Sequence, residues 1–163
     1  MIKKIMQSFL LLLLITELTI AGVNAYKQQP FYSQIYNPES NPFDDGRAAL
    51  KLAKETGRRV FIEVGGNWCR YCHILDSFIQ SNDDVAEQFY KAFVVLKVNV
   101  SDENTNSEFL SGFSGINGYP HIFITESNGK VIHSTGPAEL NENGRHSKQV
   151  FFHFIDRWKL KRE

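Results

Sequence analysis

The stretch from Gly65 to Leu75, GGNWCRYCHIL, holds both cysteines of this 163-residue chain. Two residues separate Cys69 from Cys72, and His73 follows at once. That spelling suits three chemistries: a dithiol that exchanges electrons, a c-type haem attachment site, or half of a zinc site. The flanking residues bear on the choice. Upstream, Arg59 to Val64 (RVFIEV) is β-branched and aromatic, apolar on both faces apart from Glu63, and reads as a buried strand. Gly65-Gly66-Asn67 turns the chain. Downstream, Ile74, Leu75, Phe78 and Ile79 recur at helical spacing, which predicts a helix from Cys69 to about Ile79. The cysteines therefore sit where a buried strand gives way to a helix N-terminus.

Composition narrows the function classes. Eighteen basic residues balance eighteen acidic ones, so no basic surplus points to nucleic acid. Phosphate-binding glycine loops and internal repeats are absent from the sequence. Residues 1–25 differ in kind from the rest. Lys3 and Lys4 precede the apolar run Phe9 to Ile15, and Val23-Asn24-Ala25 ends in small residues. This is the pattern of a secretory signal peptide cut after Ala25. The alternative is a retained membrane anchor, although Glu17 interrupts the apolar segment. Export would place the chain in an oxidising compartment, where disulfides usually join distant parts of a small domain. A loop as short as Cys69–Cys72 constrains little of the unfolded chain, so a purely structural bridge is a weak explanation.

Further along, residues 26–41 mix aromatic and polar residues without a period and read as an extended arm. Asn41-Pro42 opens a helix that Gly57 ends. Asp84 to Lys91 adds another helical turn or two, and Phe93 to Val100 (FVVLKVNV) is a second buried strand. Ser101 to Gly118 has room for one short helix around Ser107 to Phe113. His121 to Thr125 is a third strand, and Val131 to Ser134 returns antiparallel. The Ser127-Asn128-Gly129-Lys130 turn between them accepts positive φ at both central positions. Gly136 to Gly144 reads as a polar loop and Ser147 to Leu160 as an amphipathic closing helix. From the second element on, the order is β-α-β-α-β-β-α, an α/β domain over residues 42–163 with a mixed sheet covered on both faces.

Taken together these residues resemble the thioredoxin-like superfamily, in particular its exported bacterial single-domain members. The resemblance rests on Trp68-Cys69-Arg70-Tyr71-Cys72 at a helix start, Glu63 six residues before the first cysteine, Gly115 to Pro120 before a strand, and the Asn-Gly hairpin and final helix. It covers roughly Phe43 to Lys161. It implies a thioredoxin fold and a thiol–disulfide oxidoreductase whose redox-active disulfide joins Cys69 and Cys72. Cys69 is then the exposed nucleophile, its thiolate favoured by the helix N-terminus. Such thiolates have pKa values of about 3.5–7.5, against about 8.5 for a free cysteine. Cys72 resolves the mixed disulfide, and Glu63 is the general base, its pKa raised by burial. The resemblance also implies a cis bond at Tyr119-Pro120, with Trp68, Arg70, Tyr71, Tyr119 and Pro120 against the substrate. No cofactor or metal is implied. Partners would be proteins with disulfides or thiols, and a membrane electron donor or acceptor, in the bacterial periplasm.

Cys69-Arg70-Tyr71-Cys72-His73 still matches the haem attachment motif, although Met1 and Met6 lie in the leader and leave no methionine as axial ligand. A structural zinc site needs four ligands, and the chain has two cysteines. A redox-inert binding module would keep the fold without using the dithiol. The direction of electron flow stays open. Arg70 pushes towards an oxidising pair, whereas Glu63 and the family's usual work favour a reductase over an oxidase or isomerase.

Overall fold

In the computed structural model, which describes residues 29–161, the Asn41 side chain accepts a hydrogen bond from the Phe43 N–H and Pro42 takes the first helical position. These residues start helix α1, Pro42–Thr56, and Gly57 ends it at φ 63°. Proline lacks an N–H where none would be bonded, and the Asn cap is worth roughly 1 kcal/mol over Ala. Strand β1 (Arg59–Gly65), helices α2 (Arg70–Gln80) and α3 (Asp83–Ala92), and strand β2 (Phe93–Asn99) follow. The short helix α4 (Ser107–Leu110) leads to β3 (His121–Thr125) and β4 (Val131–Thr135), and α5 (Lys148–Trp158) comes last. The four strands form one sheet in the order β2-β1-β3-β4. β1 and β2 run parallel, and the other two pairs are antiparallel. This is the mixed, helix-covered sheet that the sequence led us to expect. The signal-peptide reading of residues 1–25 lies outside the described residues. Among those described, no helix is long and apolar enough to cross a membrane.

β1 reads as an unbroken apolar run because both of its faces are covered. On one face Phe61, Val95, Ile122 and Ile124 pack against Leu75 of α2, Phe89 of α3 and Phe154 of α5. The Phe61 ring meets Phe89 edge-on at 4.9 Å, a geometry worth about 0.5–1.5 kcal/mol beyond the area buried. On the other face Val60, Ile62 and Val64 meet Ala49 and Ala53 of α1. Glu63 belongs to the Phe61 face, in register with Lys97 on β2. It is the one buried carboxylate among the described residues.

Three stretches differ from the sequence reading. The segment before Asn41 makes a tight 3-10 turn at Phe31–Ser33 and then buries Tyr36 to 1% exposure. Ser33 Oγ donates to the Val95 carbonyl at 2.5 Å, which ties this arm to the sheet. At the β3–β4 turn only Gly129 has positive φ, at 87°. Its N–H donates to the Glu126 carbonyl at 2.9 Å, and the strand register slips beside it, between Ile124 and Thr125. The turn with positive φ at both centres is Asn143-Gly144 (53° and 78°). It joins two short strands, β5 (Asn141–Glu142) and β6 (Arg145–His146), inside the stretch expected to be a polar loop. There, a turn at Pro137–Leu140 buries Leu140 completely. A lone apolar residue among polar ones has no period to reveal it.

Leu140→Ala should therefore lower stability by about 2–5 kcal/mol, as for other buried leucines. Urea unfolding would show this as an earlier midpoint with an unchanged slope. An unshifted midpoint would mean the segment is an exposed loop.

Candidate active site

Cys69 is the N-cap of α2, and its Sγ accepts the Cys72 backbone N–H at 3.2 Å. The helix start thus aims an unsatisfied donor at the sulfur, which favours negative charge there. The two sulfurs are joined in a disulfide with the Cα atoms 5.3 Å apart. Cys72 is fully buried. Cys69, expected to be exposed, is only 3% exposed. It lies in a small buried cluster with Cys72 and Tyr36, against which Tyr119 packs. Two glycines make room for this packing. A Cβ on Gly65 would lie 2.5 Å from Cys72 Sγ and 3.0 Å from Tyr36 Oη. One on Gly66 would lie 2.5 Å from Trp68 Nε1 and 2.7 Å from the Val100 carbonyl. Neither position admits a side chain without displacing its neighbours.

Around the disulfide, Trp68 is 59% exposed and donates from Nε1 to the Val100 carbonyl at 2.6 Å. Its ring stands edge-on to Tyr119 at 5.4 Å. The Tyr119–Pro120 peptide is cis, with Pro120 buried. Arg70 and Tyr71 are exposed, as is His73, whose Nε2 lies 2.7 Å from the Asn67 carbonyl. Arg70, Tyr71, Ile74 and Phe78 line one side of a groove of about 820 Å³ between α2 and the β5–β6 hairpin, where Arg145 faces them. No Asp or Glu lines it. The other described arginines are bonded to an acid or a carbonyl.

Beneath the disulfide lies a buried cluster of ionisable groups. Burial, then the charge of Asp76, push the Glu63 carboxyl up, while Lys97 and the Tyr36 hydroxyl pull it down. The balance leaves it at about 7. Lys97 pairs directly with Asp76 of α2, and its Nζ lies 5.0 Å from the centre of the Tyr36 ring. Burial and the charge of Glu63 raise the Tyr36 hydroxyl well above its ordinary value. Tyr36 Oη and Glu63 are close enough to influence each other. Neither Oη nor Oε1, however, has a partner at full hydrogen-bond geometry, so we read the contact as a loose one.

The sequence pattern of thioredoxin-like proteins matches residues 42–127. This chain belongs to the thioredoxin-like family. Its CxxC disulfide sits at a helix start, the arrangement that thiol–disulfide exchange uses. A disulphide isomerase from Xylella fastidiosa Temecula1 is 25% identical with a TM-score of 0.63, over 80% of this chain and 96% of that one. The oxidised DsbD C-terminal domain of Neisseria meningitidis shares the fold at 15% identity, TM-score 0.55, over 74% and 97% of the two chains. The uncharacterized protein B0495.5 of Caenorhabditis elegans is 25% identical over 104 residues, 61% of this chain. The match spans only 14% of that relative's length.

The structure brings Cys69, Cys72, Trp68, Tyr119 and Pro120 together, with Glu63 on the strand below and Arg70 and Tyr71 on the groove. Sequence reasoning missed Tyr36, Asp76 and Lys97. Lys97 left a signal, a lone cation inside the buried run FVVLKVNV. Asp76 left a fainter one, four residues after Cys72 and so on the same helix face. Tyr36 left none, because nothing local marks which aromatic of an aperiodic segment will be buried.

A carboxyl held near pH 7 in the folded state and near 4.5 when unfolded binds its proton more tightly when folded. Its contribution to stability is full below pH 4.5 and is lost as pH rises through 7, by on the order of 3 kcal/mol. Glu63→Gln should thus match the wild type in acid and exceed it above pH 7. Denaturant titrations at several pH values would check this, and a gap independent of pH would count against it.

Proposed function

We propose that this protein is an exported thiol–disulfide oxidoreductase that reduces disulfides in other proteins. The observation that carries the reading is a CxxC disulfide at the N-cap of α2, packed against the end of β1, the strand that carries a buried carboxyl poised near neutral pH. In the reduced enzyme the Cys69 thiolate, stabilised by the helix N-terminus, attacks a substrate disulfide. One substrate sulfur leaves as a thiolate and the other stays bonded to Cys69. Glu63 takes the Cys72 proton, and the new thiolate attacks Cys69 Sγ. The Cys69–Cys72 bond forms, the second substrate thiol is released, and the two electrons have passed to substrate. A membrane donor then restores the dithiol.

Trp68, Tyr71 and the Tyr119–Pro120 segment would hold the substrate beside the sulfurs, and Arg70 lies on the same rim. The Lys3-Lys4 start, the apolar run and Ala25 support export with residues 1–25 removed. What supports exchange over haem attachment at Cys69–His73 is that the sulfurs bond to each other and the His73 ring is engaged by Asn67. A carboxyl able to accept the Cys72 proton at neutral pH supports the reductive direction.

Cys69→Ser should abolish turnover of a protein disulfide such as insulin's, whereas a binding module would be indifferent to it. A reduction potential near about −270 mV would support the reductase, and one near about −120 mV would make the protein an oxidase.

A further inference from the structure

Tyr36 comes from outside the part of the chain that matches the family, yet it shares one small buried cluster with both cysteines. Three tethers hold it there. Ser33 Oγ donates to the Val95 carbonyl at 2.5 Å, Asn67 Nδ2 to the Tyr36 carbonyl at 2.9 Å, and Asn104 Nδ2 to the Pro38 carbonyl at 2.8 Å. Asn67 lies two residues before Cys69, so the arm is fastened to the loop that carries the disulfide. At the tip of this strap the hydroxyl reaches the space beside Gly65, which it shares with Cys72 Sγ. It also adjoins Glu63, and it is buried without a formed hydrogen bond. Glu63 Oε1 is likewise buried without a formed hydrogen bond.

We propose that Tyr36 is a positioning residue for the resolving half of the exchange, its hydroxyl orienting the Glu63 carboxylate towards the Cys72 thiol. This rests on the function proposed above. The step it serves moves one proton from Cys72 Sγ to Glu63. The Cys72 thiolate then forms the bond to Cys69 Sγ as the Cys69–substrate bond breaks, and the substrate sulfur leaves with the electron pair. The hydroxyl's raised pKa keeps it protonated, hence a donor, across the working range. The other groups that act on Glu63 are Asp76 of α2 and Lys97 of β2, and the charge of Glu63 in turn raises the Tyr90 hydroxyl of α3. β3 places apolar Ile122 opposite Glu63. None of these also belongs to the buried cluster of the two cysteines, as Tyr36 does.

Tyr36→Phe keeps the ring and removes only the hydroxyl. The reduced full-length protein, mixed rapidly with 5,5′-dithiobis(2-nitrobenzoate), releases one coloured thiolate when Cys69 attacks and a second when Cys72 resolves. In the variant the second phase should slow about tenfold, a fraction of what a placed general base contributes, while the first stays within about twofold. Because the hydroxyl lowers the Glu63 pKa, the pH midpoint of the second phase should also move upward from about 7. A packing role alone would move neither the midpoint nor the ratio of the phases. An active wild type matched by Tyr36→Phe in second-phase rate and midpoint overturns this inference alone. A wild type that releases no thiolate overturns the functional reading and the inference with it.

Discussion

One carboxyl, Glu63, is buried in the middle of a sheet, and much of the site is arranged around that constraint. An ionised carboxylate there is costly, and the protein meets the cost in two ways. Lys97, opposite in register on β2, offers a cation, but Asp76 engages it directly. The Tyr36 hydroxyl offers a donor, but loosely. Glu63 is therefore only partly compensated, which leaves its proton nearly balanced at neutral pH. A stronger bond to either partner would have fixed the carboxyl as an anion and made it a poor proton acceptor.

The same closeness explains the two glycines before Trp68. β1 must pass under the sulfur of Cys72 and the ring of Tyr36, and only a residue without Cβ fits at Gly65. Gly66 does the same for the Trp68 indole, whose bond to Val100 ties the disulfide loop to the end of β2. Packing, backbone and chemistry are thus linked. The turn that lifts Cys69 to the tip of α2 also closes the space in which the ionisable groups meet.

The sequence made the sheet legible because β1, β2 and β3 are apolar runs bounded by turn residues, and a helix with Asn-Pro at its start and Gly at its end announces itself. Glu63, Cys69 and Cys72 were legible too, since an acid inside RVFIEV and a cysteine pair at a helix start are local anomalies. Tyr36 and Leu140 were not. Each is buried by contacts far away in sequence, and neither stands in a segment with a period. The Asn-Gly pair at 128–129 misled for a related reason. Asn128-Gly129 and Asn143-Gly144 both accept positive φ, and the register of the flanking strands decides which of these two uses it at both centres.

The account stands on the state of one proton, and that can be observed directly. A carbon-13 NMR titration of the Glu63 side-chain carboxyl in the oxidised protein, assigned by its loss in Glu63→Gln, should show a midpoint near 7. A midpoint near the ordinary 4.5 would mean the carboxylate is fully compensated or solvated, and would contradict it.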